Sequence, residues 1–220
     1  MKLLNNGKNS YKDMPKYIII SGIDGSGKTT VIEALKEHLT REGYKVDYIW
    51  MRYNHYLLRV MNAIARILGL SVKVHNAMGT VWEHRLYKKP WFCWLYIRIS
   101  YFDNLIAVKK VKKLSGDYVI CDRWINDILI DLGAECRIMD ILKSKWYKRF
   151  HNILPNNSFQ FVIRRNTQDV LDCRIENHTN PDFNYRLKLY QELMNNDDVT
   201  TIDNTGSINN SVNQIISVIK

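Results

Sequence analysis

The sequence predicts an α/β fold, a five-stranded parallel sheet flanked by helices on both faces. Three observations predict it. Five short runs of apolar, often β-branched residues recur along the chain with helical stretches between them, the order that yields parallel strands joined by crossover helices. The first run passes directly into a glycine-rich turn and then a helix, a strand–turn–helix unit typical of such sheets. The chain has 220 residues, 46% hydrophobic and 25% charged, which suits one globular domain with a substantial core.

Residues 1–15 read as a polar tail, and residues 16–220 as the single domain. Lys16 to Ser21 is an unbroken apolar run, as expected of a strand buried on both faces. After the turn, Val31, Ile32, Leu35 and Leu39 fall on one face of a helix. Gly43 then ends that helix. Lys45 to Trp50 is the second strand, Tyr118 to Cys121 the third, Phe159 to Ile163 the fourth and Val199 to Ile202 the fifth.

Residues 51–114 separate the second and third strands and read as a helical insertion. Leu57, Val60, Met61, Ile64, Ile67 and Leu68 form an apolar stripe with Arg59 and Arg66 at its edges. A second helix is expected from Trp94 to Leu114, ending in Lys109, Lys110, Lys112 and Lys113. Such a basic, Trp-rich helix suits a membrane surface or a nucleic acid. The plainer reading is favoured: a core or subunit-contact helix with a solvated basic end. Arg98 and Asp103 interrupt the most apolar stretch, Trp91 to Val108, so no spanning helix is expected.

The formal charge is +10 and the pI about 9.4, a balance that attracts anions. Cys93, Cys121, Cys136 and Cys173 form no CxxC pair and read as reduced thiols. The six histidines show no HExxH spacing, which argues against a metal held by protein ligands alone. Met1-Lys2-Leu3-Leu4 runs at once into Asn5-Asn6-Gly7, unlike a secretory signal. A cytoplasmic location is expected.

Gly22, Gly27, Lys28 and Thr29 match GxxxxGK[ST] in full, between a predicted strand and a predicted helix, the context that gives this motif its meaning. Its glycines let backbone N–H groups curl around phosphate oxygens, and the helix N-terminus adds partial positive charge. Lys28 would reach the β- and γ-phosphates, and the Thr29 hydroxyl would ligate magnesium. Asp122 follows four mostly apolar residues at the end of the third strand and is the candidate second magnesium ligand. Motors that hydrolyse ATP commonly carry glutamate next. Here Arg123 follows, a planar fork suited to a second phosphate. No guanine-reading NKxD occurs. Transfer between two phosphate-bearing substrates is therefore expected, rather than hydrolysis.

With these residues the chain resembles the thymidylate kinase family of nucleoside monophosphate kinases, which implies the P-loop kinase fold, here with a short lid. Ile20 to Thr30 is similar to that family's phosphate loop and Asp122-Arg123-Trp124 to its Asp-Arg-Tyr/His motif. Val170 to Ile175 resembles the start of its lid (here residues 165–183), and Ile202 to Ile208 its adenine loop. The resemblance implies phosphoryl transfer from MgATP to a nucleoside monophosphate, thymidylate first, in a homodimer. It implies that Lys28, Arg123 and Arg174 are catalytic. Gly22, Gly25, Ser26, Gly27, Thr29 and Thr30 would join Lys28 on the ATP phosphates, and Asn204, Thr205, Gly206 and Ser207 would lie against adenine. Asp24, Arg52 and Arg123 would meet the acceptor, with Arg98, Tyr101 and Phe102 the nearby candidates for its base. Thr29 and Asp122 would organise Mg2+. The rival readings are another nucleotide or a small phosphorylated metabolite as acceptor, and a non-catalytic nucleotide-dependent switch.

Overall fold

A computed structural model describes residues 15–52, 56–76, 79–178 and 180–220. The tail expected over residues 1–15 lies, apart from Pro15, outside the described residues. Five strands form one parallel sheet: β1 (Lys16–Ser21), β2 (Val46–Trp50), β5 (Tyr118–Asp122), β6 (Ser158–Arg164) and β7 (Thr200–Asp203). Their spatial order is β2-β5-β1-β6-β7. The expected α/β class and five-stranded parallel sheet are thus observed, each strand within a residue or so of its expected bounds.

Period-two alternation on β1 explains why both faces must be covered. Tyr17 and Ile19 point into one apolar cluster, with Val119, Cys121 and Val162. Ile18 and Ile20 point into the other, with Ile120, Phe161 and Ile163. The second cluster is roofed by α1 (Lys28–Arg41) and α8 (Ile208–Ile219). The first is roofed by α3 (Pro90–Val111), α4 (Ile125–Cys136), α5 (Lys145–His151) and α7 (Phe183–Met194). A strand buried on both faces has no polar side to show, hence the unbroken Tyr17-Ile18-Ile19-Ile20.

The insertion departs from expectation in three ways. It is not wholly helical: β3 (Ser71–Asn76) and β4 (Gly79–His84) pair antiparallel as a separate two-stranded sheet. The period-two signal was present in Val72-Lys73-Val74 but is short beside the helical stripe that precedes it. Second, α3 begins four residues before the expected Trp94, because Pro90 occupies its first turn, where a missing N–H costs nothing.

Third, the stripe on α2 (Leu57–Ile67) does not pack as a unit. Leu58, Met61 and Ala65 are buried, whereas Leu57, Val60, Ile64 and Ile67 are exposed. The helix is fixed in this rotation by Asp103 of α3. Its buried carboxylate accepts the N–H groups of Tyr56 (3.2 Å), Leu57 (2.8 Å) and Leu58 (2.9 Å). Those are the unpaired donors of a helix N-terminus. No helix among the described residues is long and apolar enough to cross a membrane.

A candidate phosphate-transfer cleft at the carboxyl edge of the sheet

Ligands of open α/β sheets bind beyond the carboxyl ends of the strands. The ends of β1, β5, β6 and β7 converge there. Residues 22–27 join β1 to α1, and each of their carbonyls meets a donor. Lys28 Nζ donates to the carbonyls of Gly22 and Ile23 (2.7 Å to the latter). Asn177 Nδ2 donates to Asp24 O (3.1 Å), Arg165 Nη1 to Gly25 O (3.3 Å) and Asn204 Nδ2 to Ser26 O (2.9 Å). The donors from Asn177, Arg165 and Asn204 come from three other segments and brace the loop from outside, while Lys28 braces it from within.

Two glycines are required by this geometry. Gly25 has φ +95°, and a Cβ there would sit 2.8 Å from the carbonyl of Val170 and 3.3 Å from Arg174 Cγ. Gly27 has φ +89° and precedes the first helical residue, and a Cβ there would strike the Asn204 amide. Arg174 thus runs beside the loop, at the end of α6 (Thr167–Cys173). Thr29 and Thr30 are exposed in the first turn of α1, and Ser26 is buried.

Lys28 is buried. Burial, and next the charge of Arg123, lowers its ammonium to about 7, while Asp24, Asp127 and Asp122 pull the other way. An anion on the loop would supply the counter-charge that the carbonyl dipoles only partly provide.

Asp122 ends β5, beside Ile20 in register. Its Oδ2 accepts from Tyr48 Oη (3.0 Å), while Oδ1 is buried with no hydrogen-bond partner. Burial raises this carboxyl above its usual range. An orphaned buried carboxylate oxygen is costly unless something fills it, and a divalent cation fits. Among the described residues no group of three or more His, Cys, Asp or Glu could hold a metal by itself.

Beside the loop lies a charged cleft whose lining includes Asp24, Arg52, Arg123, Asp131, Arg186 and Tyr190. Arg123 has φ +57°, a left-handed conformation that costs about 1–2 kcal/mol in a side-chain-bearing residue. The turn it makes between β5 and α4 brings its guanidinium onto the Asp24 carboxylate. Arg52 bridges Asp24 (3.3 Å) and Asp131 (3.5 Å), and Arg186 Nε holds Asp131 from the far side (2.8 Å). Burial would raise Asp24, but Arg123 and Arg52 outweigh it and hold the carboxyl well below the usual range. On the same helix burial, and then Asp131, pushes Glu135 up to about 8. Behind the loop, Asp127 Oδ1 accepts from Tyr190 Oη (2.6 Å) and lies 3.4 Å from the Gly22 N–H.

The chain is 32% identical over 127 residues to the thymidylate kinase of Ligilactobacillus salivarius (strain UCC118). The match covers 54% of this chain and 54% of that relative, so the chain spans about half the length of the curated relative it matches. No family model matches the sequence.

Of the residues singled out from sequence, the structure brings Gly22 to Thr30, Asp24, Arg52, Asp122, Arg123 and Arg174 to one edge of the sheet. Asn204 also lies there, but inward: its amide is spent on Ser26, and Ser211 Oγ donates to its Oδ1 (2.9 Å). Thr205, Gly206 and Ser207 are exposed beside it. Asp203 holds Thr205 through its N–H (3.0 Å) and hydroxyl (2.8 Å), and Ser207 caps α8.

Arg98, Tyr101 and Phe102 are elsewhere. The Arg98 guanidinium lies over the Trp94 ring, 3.0 Å from its centroid, and Tyr101 packs on Phe150 at 5.5 Å. Phe102 is exposed. Their stretch of α3 faces α5 and solvent, not the loop. Sequence reading missed Asp127, Asp131, Arg165, Asn177, Arg186 and Tyr190. The Asp127–Asp131 spacing on α4 was the one local signal, since residues four apart share a helix face.

Proposed function

We propose that the chain is a nucleoside monophosphate kinase that moves the γ-phosphoryl group of MgATP onto the phosphate of an acceptor, with thymidylate the first acceptor to test. The observation that carries this reading is the pairing of two anion sites at one edge: the loop closed around Lys28, and the guanidinium pair Arg52 and Arg123 beside it. A hydrolase needs one such site; a two-phosphate transferase needs both. The similarity to a thymidylate kinase over about half the chain points the same way.

In this reading the loop N–H groups and Lys28 hold the β- and γ-phosphates. Arg123 and Arg52 leave Asp24 for the incoming acceptor phosphate and neutralise it. An acceptor oxygen bonds to the γ-phosphorus as the bond to the β,γ-bridging oxygen breaks, and ADP departs. The acceptor phosphate is already ionised at neutral pH, so no general base is needed. Thr29 and Asp122 would hold the Mg2+ whose charge offsets that of the triphosphate. Arg174 and the short lid, residues 165–183, would close over the transferring group and keep water out.

The test is ADP release from MgATP against a panel of nucleoside monophosphates, with Lys28→Ala as control. Turnover stimulated by one acceptor and lost in the variant supports the proposal. ATP binding with no acceptor-stimulated turnover would favour a nucleotide-dependent switch. One observation favours widening the panel to other nucleotides and small phosphorylated metabolites. The cleft wall carries Asp131 and Arg186, groups that suit a ligand rich in hydrogen-bonding groups more than the methyl face of thymine.

A further inference from the structure

Two of the four cysteines are brought together by the helices that carry them. Cys93 lies near the start of α3, whose first residue is Pro90, and Cys136 is the last residue of α4. The two helices pack against one another, and both side chains are buried in the same apolar cluster. There the thiols are hydrogen-bonded to each other, Cys136 donating to Cys93. Neither is in a disulfide. Both also line one cavity of about 300 Å3 between α3, the end of α4 and the start of α5. Ile97 and Ile141 form part of its apolar wall, and the exposed Tyr87 and Trp94 carry it to the surface. A buried thiol is ordinarily inert because reagents do not reach it. This cavity has room for several water-sized molecules.

The two sulfurs are not equivalent. The hydrogen bond from Cys136 lowers the Cys93 thiol; burial opposes it, and the backbone N–H at Cys93 adds to it. The positive end of α3 acts in the same sense. Cys136 goes the other way. It is raised by donating that hydrogen bond, by burial, and by the charges of Cys93 and Glu135, and it sits at the negative end of α4. A thiolate-forming sulfur beside a protonated one is the arrangement of a sensing cysteine and its resolving partner. The other two thiols are placed differently. Burial alone raises Cys121 within β5, and Cys173 ends α6, where Arg165 Nη1 lies 3.2 Å from its Sγ.

We propose that Cys93 and Cys136 are an oxidant-sensitive dithiol, which hydrogen peroxide closes to a disulfide between α3 and α4. The Cys93 thiolate attacks one peroxide oxygen. An S–O bond forms, the O–O bond breaks and hydroxide leaves, so Cys93 becomes a sulfenic acid. The Cys136 sulfur then attacks the Cys93 sulfur. The S–S bond forms, the S–O bond breaks, and the hydroxyl departs as water with the Cys136 proton. In all, the two thiols give up two electrons and two protons, and one peroxide is reduced to two waters. Sulfurs already in hydrogen-bond contact need little further approach. Cys136 follows Asp131 on α4 by little more than a turn, so the bond would lock the end of the helix that carries the cleft wall onto α3.

The test treats the full, reduced chain with hydrogen peroxide, stops the reaction with catalase and blocks the remaining thiols by alkylation. Peptide mapping should find Cys93 joined to Cys136 within one chain. Free thiols counted in denaturant should fall by two of the four, and dithiothreitol should restore them. In Cys136→Ser the attacking sulfur remains without its resolver, so a sulfenic acid should persist at Cys93 and be trapped by dimedone. In Cys93→Ser, loss of the Cys136 thiol should slow about tenfold or more. Thermal melts check that both variants fold, and the wild-type linkage needs neither. Absence of the Cys93–Cys136 peptide overturns the proposal, as do dimedone adducts confined to Cys173. So does loss of the Cys136 thiol at one rate with and without Cys93, which would mean two independent thiols sharing a cavity. None of these readouts depends on kinase turnover, so this proposal and the functional one fail separately.

Discussion

Replacing Asn204 by alanine separates two roles for one residue. Its side chain is buried, donates to the Ser26 carbonyl at 2.9 Å and accepts from Ser211 at 2.9 Å. Each hydrogen bond contributes about 0.5–1.5 kcal/mol net, and the orphaned Ser26 carbonyl adds about 1–3 kcal/mol. A cost of about 3 kcal/mol follows, or roughly 6–12 °C in Tm for a domain of this size. The loop also loses the donor that braces one of its carbonyls. If the braced form then costs about 1.4 kcal/mol, ATP affinity falls about tenfold. Preference for ATP over GTP should not change, because the side chain is buried and its amide is held on the loop rather than turned toward a base. Differential scanning calorimetry and nucleotide titrations measure both. A Tm within about 1 °C of wild type, together with a lost ATP-over-GTP preference, would falsify the strut and restore Asn204 as a base reader.

Other substitutions probe the same framework. Gly27→Ala puts a Cβ at φ +89° against the Asn204 amide; the backbone alone costs about 1–2 kcal/mol, and calorimetric titration should show ATP affinity down more than about tenfold. Asp103→Asn keeps only one carboxyl-side acceptor for three N–H groups of α2, so thermal melts should show about 1–3 kcal/mol lost with ATP binding unchanged. His151 is held neutral: Nε2 lies 3.0 Å from Asn126 Oδ1 and Nδ1 3.2 Å from Gln160 Nε2, and burial lowers it from 6.5 to about 4. The unfolded chain therefore binds more protons between those values. His151 contributes stability that is present above pH 6.5 and is lost as pH falls toward 4. The difference in Tm between wild type and His151→Asn should shrink over that window; a constant difference would place the pH dependence elsewhere.

The half of the cleft that was legible is built from one continuous stretch. Gly22 to Thr29 carries its own geometry, because glycine spacing, the lysine and the following helix are all local, and strand-to-helix continuity fixes where they point. Asp122 was legible for the same reason: an apolar strand must end, and what ends it lies at the edge where the loop lies. The five strands were legible because a strand buried on both faces has no polar residue to disguise it. The β3–β4 hairpin was not, since its six-residue strands bury little and show little pattern.

The rest of the cleft is assembled from elements far apart in sequence, and no local pattern encodes their meeting. Arg52 follows β2, Asp131 sits mid-α4 and Arg186 lies on α7, yet the three form one chain of ion pairs. Arg98, Tyr101 and Phe102 show the converse. They are the right residue types in roughly the right place, and the rotation of α3 turns them to α5 and to solvent. That rotation is set by which side of α3 the core requires: Phe92, Cys93, Tyr96, Ile97, Ser100 and Asp103 are all buried. A helix apolar on every side has no amphipathic signal to say which face will be inward. Composition could therefore say that the insertion was aromatic and basic, but not which of its aromatics face outward. The packing of Arg98 and Tyr101 beside α5 and the exposure of Phe102 weaken the case for a thymine pocket made from α3.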